Sequence, residues 1–230
     1  MSLTMLKQLR IFIPGLLLVV LLMSVVRAVT QANLDIAGLF SSLRLTDTVV
    51  FPVAAYFLGG IYYLSDIRMW FLRGSKHRID SNIRRRLVEF CKSDPRVGGC
   101  ASRLVDSTQL LGIFFHVVDK DTTLTEKAKN VYLNGLVWST TADVMAVSLF
   151  GGAAHLTIYL IAHKPGCLTF ALGMGLLYLL FWRALLPKVT DKHIKLSNEQ
   201  LDYIGLNFKD ELCAKIAALA ETGIASPHQS

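Results

Sequence analysis

The sequence predicts an all-α, multi-pass membrane protein with four transmembrane helices and a helical cytoplasmic region. Three observations carry this expectation. The 230 residues are 53% hydrophobic and only 18% charged, against about 45–50% and about 25% in an ordinary soluble domain. The mean hydropathy is +0.45, and the excess is gathered into runs long enough to cross a bilayer. Between the second and third runs lies a basic segment from Arg68 to Arg103, opposed only by Asp80, Glu89 and Asp94. Such a cluster resists translocation, so it assigns this segment to the cytoplasm and orients every span.

In chain order, Lys7 and Arg10 precede an apolar run from Ile11 to Val26, closed by Arg27. A basic start before an apolar run also describes a signal peptide. This run is long for one and lacks an A-x-A site, so it reads as an uncleaved first span. Pro14 is placed in its first turn, where a missing N–H costs little. A mixed external loop follows, with a short amphipathic helix expected over Leu34–Leu43. The second span carries Pro52 and the pair Gly59–Gly60, small residues that let helices approach closely. Tyr62, Tyr63, Trp70 and Phe71 form an aromatic belt at its cytoplasmic end.

The polar interval reads as three helices. The first, Ile79 to Phe90, has Ile79, Ile83, Leu87 and Phe90 on one face. The second runs from Ala101 to Val118, after a turn at Asp94–Gly99. The third opens on a capping box at Thr123-x-x-Glu126. It meets no proline from Leu124 to Ala162 and is expected to continue unbroken into the third span. That span holds Ser148 and Gly152 at small-xxx-small spacing. His163-Lys164-Pro165-Gly166 turns the chain, and a fourth span with Gly173 and Gly175 follows. After a short basic link, Ser197-x-x-Gln200 is expected to cap a last amphipathic helix. Its apolar stripe is Leu201, Ile204, Phe208, Leu212, Ile216 and Leu219.

The domain plan is therefore an N-terminal pair of spans in residues 1–66 (about 11–29 and 49–66), then a basic helical region over 67–140. A second pair follows in 141–188 (about 141–162 and 167–187), then a cytoplasmic helix and tail over 189–230. Charge supports the orientation. Twenty-one Lys/Arg fall on the assigned inside, and only Arg27, Arg44 and Lys164 fall outside. Both termini are thus expected in the cytoplasm, with the cell inner membrane as the location.

The net charge of +7 is explained by that rule, so no nucleic-acid partner is expected. The four cysteines, Cys91, Cys100, Cys167 and Cys213, form no CxxC pair. Three are assigned to the reducing cytoplasm, so neither a disulfide nor a structural metal is expected. No HExxH, GK[ST] or G-x-S-x-G setting occurs, so no catalytic residue, cofactor or enzymatic activity is assigned.

Two ionisable residues fall within the third span. His155 is a candidate functional group because burying it in hydrocarbon is costly, and Asp143 sits near the cytoplasmic mouth. Arg78, Arg84, Arg85 and Arg86, with Phe208 and Leu212, are candidate contacts to lipid or a protein partner. Gly59, Gly60, Ser148, Gly152 and Gly173 are candidate helix-packing positions, consistent with a homo-oligomer. The expected function is a non-enzymatic membrane subunit whose cytoplasmic helices dock a soluble protein. Membrane components of bacterial defence or stress-response systems share such a plan, by analogy of architecture. Two alternatives stand beside it. One is an oligomeric channel or membrane-disrupting effector gated through the cytoplasmic helices. The other is a small transporter using His155 and Asp143.

Overall fold

The computed structural model describes residues 3–30 and 47–224, and every regular element among them is helical. The expected amphipathic helix at Leu34–Leu43 lies outside the described residues. The chain divides into two compact units: Met1–Arg73 with Gly135–Val189, and Gly74–Asn134 with Thr190–Ser230. Three helices are long and apolar enough to cross a membrane, or four if a bent pair counts as one span.

Helix α1 spans Leu3–Thr30 and α2 spans Asp47–Leu64. The first is longer than the apolar run, because Leu3 to Arg10 continue the same helix. Pro14 consequently lies inside α1 and not in its first turn. Helix α2 stops where Ser65 and Asp66 break the pattern. Asp66 adopts φ 55°, a left-handed conformation that Asp tolerates better than most residues. Helix α3, Ile67–Cys91, then leaves at a bend of 56°. It begins well before the expected start at Ile79, since no proline falls between Arg68 and Arg78 and Gly74 alone does not stop the helix.

Pro95–Gly98 forms the short helix α4, with Asp94 as N-cap accepting from the Arg96 N–H at 2.9 Å. The helix expected from Ala101 to Val118 is two pieces, α5 (Ala101–Asp106) and α6 (Gln109–Lys120). Ser107 turns extended between them, and its hydroxyl accepts from the Gln109 N–H at 3.3 Å. Helix α7, Thr122–Ala162, is continuous over 41 residues. Its N-terminal donor goes to Asp121, whose carboxylate accepts from the Leu124 N–H at 2.9 Å; the cap expected at Thr123 is displaced by two residues.

Helix α8 covers Pro165–Leu180, with Pro165 at its first position. A π turn, Phe181–Leu185, joins it to α9, Leu186–Asn207. The stretch Lys188–Lys195, expected as a link, is therefore helical. Ser197 and Gln200 are buried inside α9 and do not cap a new helix. Helix α10, Lys209–Ile224, closes the described chain.

The first unit is held by a core of Leu72, Ala142, Met145 and Leu186, with Met69, Phe71, Trp138, Tyr178 and Phe181 packed on it. Helices α1 and α2 meet through glycine. A Cβ on Gly59 would lie 2.9 Å from the Ile11 carbonyl carbon and 3.2 Å from the Gly15 nitrogen. Only glycine permits so close an approach of two backbones.

The second unit buries Ile79, Ile83 and Leu87 of α3 with Leu104, Leu110, Phe114 and Val118. The stripe residues Leu201, Ile204, Leu212 and Ile216 close the same core. Cys91 and Cys213 form a disulfide with Cα atoms 5.2 Å apart, which overturns the expectation of free thiols. Folding sets α10 beside the end of α3, an adjacency that a sequence separation of 122 conceals. Cys100 and Cys167 remain free thiols.

Candidate functional site

The first unit contains a buried charged cluster built by a proline and a bend. Pro14 has no N–H, so the carbonyl of Arg10, four residues earlier, loses its helical donor. Arg68, in the first turn of α3 just past the bend, supplies the replacement: its Nη2 donates to Arg10 O at 2.8 Å. The same guanidinium grips Asp143 with both arms, Nε to Oδ1 at 2.7 Å and Nη2 to Oδ2 at 3.0 Å. The Tyr62 ring lies 5.9 Å from its Cζ. The Asp143 side chain is 1% exposed and that of Arg68 14%. Planar, two-pronged pairing is the geometry in which Arg best offsets the desolvation of a buried carboxylate. Arg68 thus ties α1, α3 and α7 together, and Asp143 is sealed beneath it.

His155 lies further along α7 and is fully buried. Its Nδ1 is 2.9 Å from the carbonyl of Gly151, which can only accept, so Nδ1 carries the proton. The ring stacks on Phe170 of α8, with centroids 4.1 Å apart. That leaves Nε2 buried with no hydrogen-bond partner among the described residues. Thr141, Ser148 and His155 recur every seven residues on α7, and all three are buried. A seven-residue repeat returns to nearly the same helix face, so the three polar groups form one inward stripe. At the far end of the unit, Lys164 donates to Ala28 O at 2.6 Å and Val29 O at 3.2 Å, capping the last carbonyls of α1.

Comparison with known proteins finds no matching family model, no matching curated protein and no matching solved structure. The chemistry of the site is therefore argued from its own residues.

The basic residues expected to face lipid or a partner are mostly engaged within the second unit. Arg78 pairs with Asp191 at 3.0 Å, and Arg86 pairs with Asp202 at 2.6 Å while covering the Phe90 ring. Arg84 donates to the Asp106 carbonyl at 3.0 Å. Arg78 and Arg85 are the two exposed members of the four, and among the described residues Arg85 has no carboxylate partner. Leu212 is buried in the core and Phe208 is half-buried at the break between α9 and α10. The stripe is thus covered by the unit's own helices.

Among the packing candidates, Gly59 makes the close approach described above. Gly152 packs on α8, where an added Cβ would sit 3.4 Å from Met174 Cβ. Ser148 is buried beside the same face. Gly60 and Gly173 have open space around them. Sequence reasoning passed over Gly15, the partner of Gly59, and Arg68, which it counted only as a topology charge. The carbonyl freed by Pro14 is readable from the sequence. The donor that fills it is not, because it lies 58 residues away.

Proposed function

We propose that the chain is an integral inner-membrane protein of four spans with both termini in the cytoplasm. It acts as a non-enzymatic subunit that binds a soluble partner through the charged face of its second unit. The contrast between the surfaces of the two units supports this reading. The first unit turns apolar side chains outward, with Ile161 78% and Phe57 68% exposed, and keeps Asp143 and His155 inside. That arrangement suits hydrocarbon, where ionisable groups are tolerated only when turned inward and partnered. The second unit does the reverse. It closes an apolar core and leaves Arg85, Lys92 and Arg103 exposed, which suits water.

Among the described residues the Cys91–Cys213 disulfide is the one feature set against a cytoplasmic second unit, because thiols stay reduced there, and reporter fusions test the placement. Fusions after Lys92 and after Ala220 should read as cytoplasmic, and one near Leu39 as external. A periplasmic signal at Lys92 would overturn the orientation. Deleting residues 197–230 is not a test of docking. It would strip Leu201, Ile204, Leu212 and Ile216 from the core, each contributing about 2 kcal/mol. Arg85→Glu with Arg103→Glu leaves the core untouched. That variant should melt like the parent and yet lose cellular function and any co-purifying partner. Full function with reversed charge would sink the docking reading.

The buried, unpartnered Nε2 of His155 favours a second reading, a small proton-coupled transporter. Vesicles containing the parent chain and an internal pH dye should then acidify under a gradient, and His155→Gln should abolish the flux. No flux through the parent chain would remove this reading.

A further inference from the structure

The first unit carries a second cluster that neither the ion pair nor His155 uses. It begins at the π turn Phe181–Leu185. There the Leu186 N–H reaches back to Phe181 O, and the helix takes up one extra residue. Such wide turns re-aim the side chains they carry and recur at functional sites. This one presents Trp182 and Arg183 outward, with the Arg183 guanidinium 5.5 Å above the indole.

Tyr178 stacks on Trp182 at 6.2 Å and meets Phe71 edge-on at 6.4 Å. The aromatic row therefore joins the π turn to the first turns of α3, over the Leu72–Leu186 core. Among the described residues Arg183 meets no carboxylate, in contrast to Arg68, Arg78 and Arg86.

We propose that Arg183, lying over Trp182, binds the phosphodiester headgroup of an anionic phospholipid. Guanidinium forks match phosphate oxygens, and indoles favour the boundary between headgroup and hydrocarbon. Just before the π turn, α8 exposes Leu172, Leu176 and Leu180, an apolar wall for an acyl chain. A soluble phosphate would have no use for that wall, so the leucines favour lipid. The site rests on the membrane placement of this unit proposed above.

The test uses the full chain in neutral phosphatidylcholine vesicles doped with brominated lipid, which quenches tryptophan on contact. Brominated phosphatidylglycerol should quench at lower mole fraction than brominated phosphatidylcholine. Arg183→Gln should reduce that preference about 5-fold. Arg183→Lys keeps the charge and should retain most of it, which separates binding from misfolding. Millimolar pyrophosphate should compete weakly. Equal quenching by both lipids, an unchanged preference in the Gln variant, or full displacement by pyrophosphate would each overturn the site. Absence of quenching by either lipid would instead remove the membrane placement itself.

Discussion

Gly59→Ala and Gly60→Ala should shift stability in opposite directions, although the residues are neighbours in one helix. Both substitutions gain the same intrinsic helix propensity, up to about 1 kcal/mol. They differ only in what the new methyl meets. At Gly60 there is nothing within 4 Å, so the propensity gain survives. At Gly59 the methyl would stand 2.9 Å from the Ile11 carbonyl carbon and closer still to its oxygen. Carbon contacts are comfortable near 3.5 Å, so the helices must part by on the order of 1 Å along their contact. Backbone cannot rotate aside as a side chain can, so this contact takes the upper part, about 2–3 kcal/mol, of what overpacking costs. After the propensity gain, Gly59→Ala should still lose about 1–2 kcal/mol, and the two variants should differ by about 2–3 kcal/mol. For a chain of this size that difference corresponds to roughly 5–10 °C in midpoint. Thermal unfolding in mild detergent, followed by loss of helical circular dichroism, reads it directly. If Gly59→Ala melts at or above the parent, the close approach of α1 and α2 is wrong.

Three further outcomes follow from other contacts. Asp143→Asn should lower stability by about 3–5 kcal/mol by stranding the buried Arg68 guanidinium. Arg68→Met with Asp143→Leu should recover most of the loss in the same melt, and a double variant as weak as the single would refute the pairing. Hydrogen bonds from Lys120, then Lys215, hold the Glu211 carboxyl down at about 2 from its usual 4.5. A lowered carboxyl pKa stabilises fully above 4.5 and loses that contribution as pH falls toward 2, so Lys120→Met should move its NMR titration upward. Alkylation of the unfolded, unreduced chain should label only Cys100 and Cys167, and all four cysteines after reductant; four labels without reductant would show that Cys91 and Cys213 are unbonded.

The helices were legible in the sequence where composition alone decides them. The unbroken α7 followed from the absence of proline between Leu124 and Ala162, and the apolar runs marked the long helices. Local polar contests were harder. Asp121 and Thr123 are both good caps, and the chain used the earlier one. Ser107 and Ser65 ended helices that periodicity alone would have continued. Long-range pairings were not legible, because each is chosen by folded geometry between residues that sequence does not associate. The Arg68 carboxylate partner, the cover for Leu201 to Ile216 and the Cys91–Cys213 bond are all of this kind. Arg78 and Arg86 show the same limit: a run of arginines states a charge, and only the fold states which arginines are already paired.

The cap on α1 has a consequence for the order of assembly. The glycine contact between α1 and α2 joins segments that leave the ribosome early and near each other. The carbonyls of Ala28 and Val29 accept from Lys164, with 136 residues separating Ala28 from this donor. During synthesis the first helix therefore forms before its Lys164 donor exists. Those two carbonyls wait for that donor until the final hairpin delivers its lysine. Chains stopped after α2 should show fast amide exchange at Ala28 and Val29, and completed chains slow exchange. The last hairpin thus brings a late contact to the first helix.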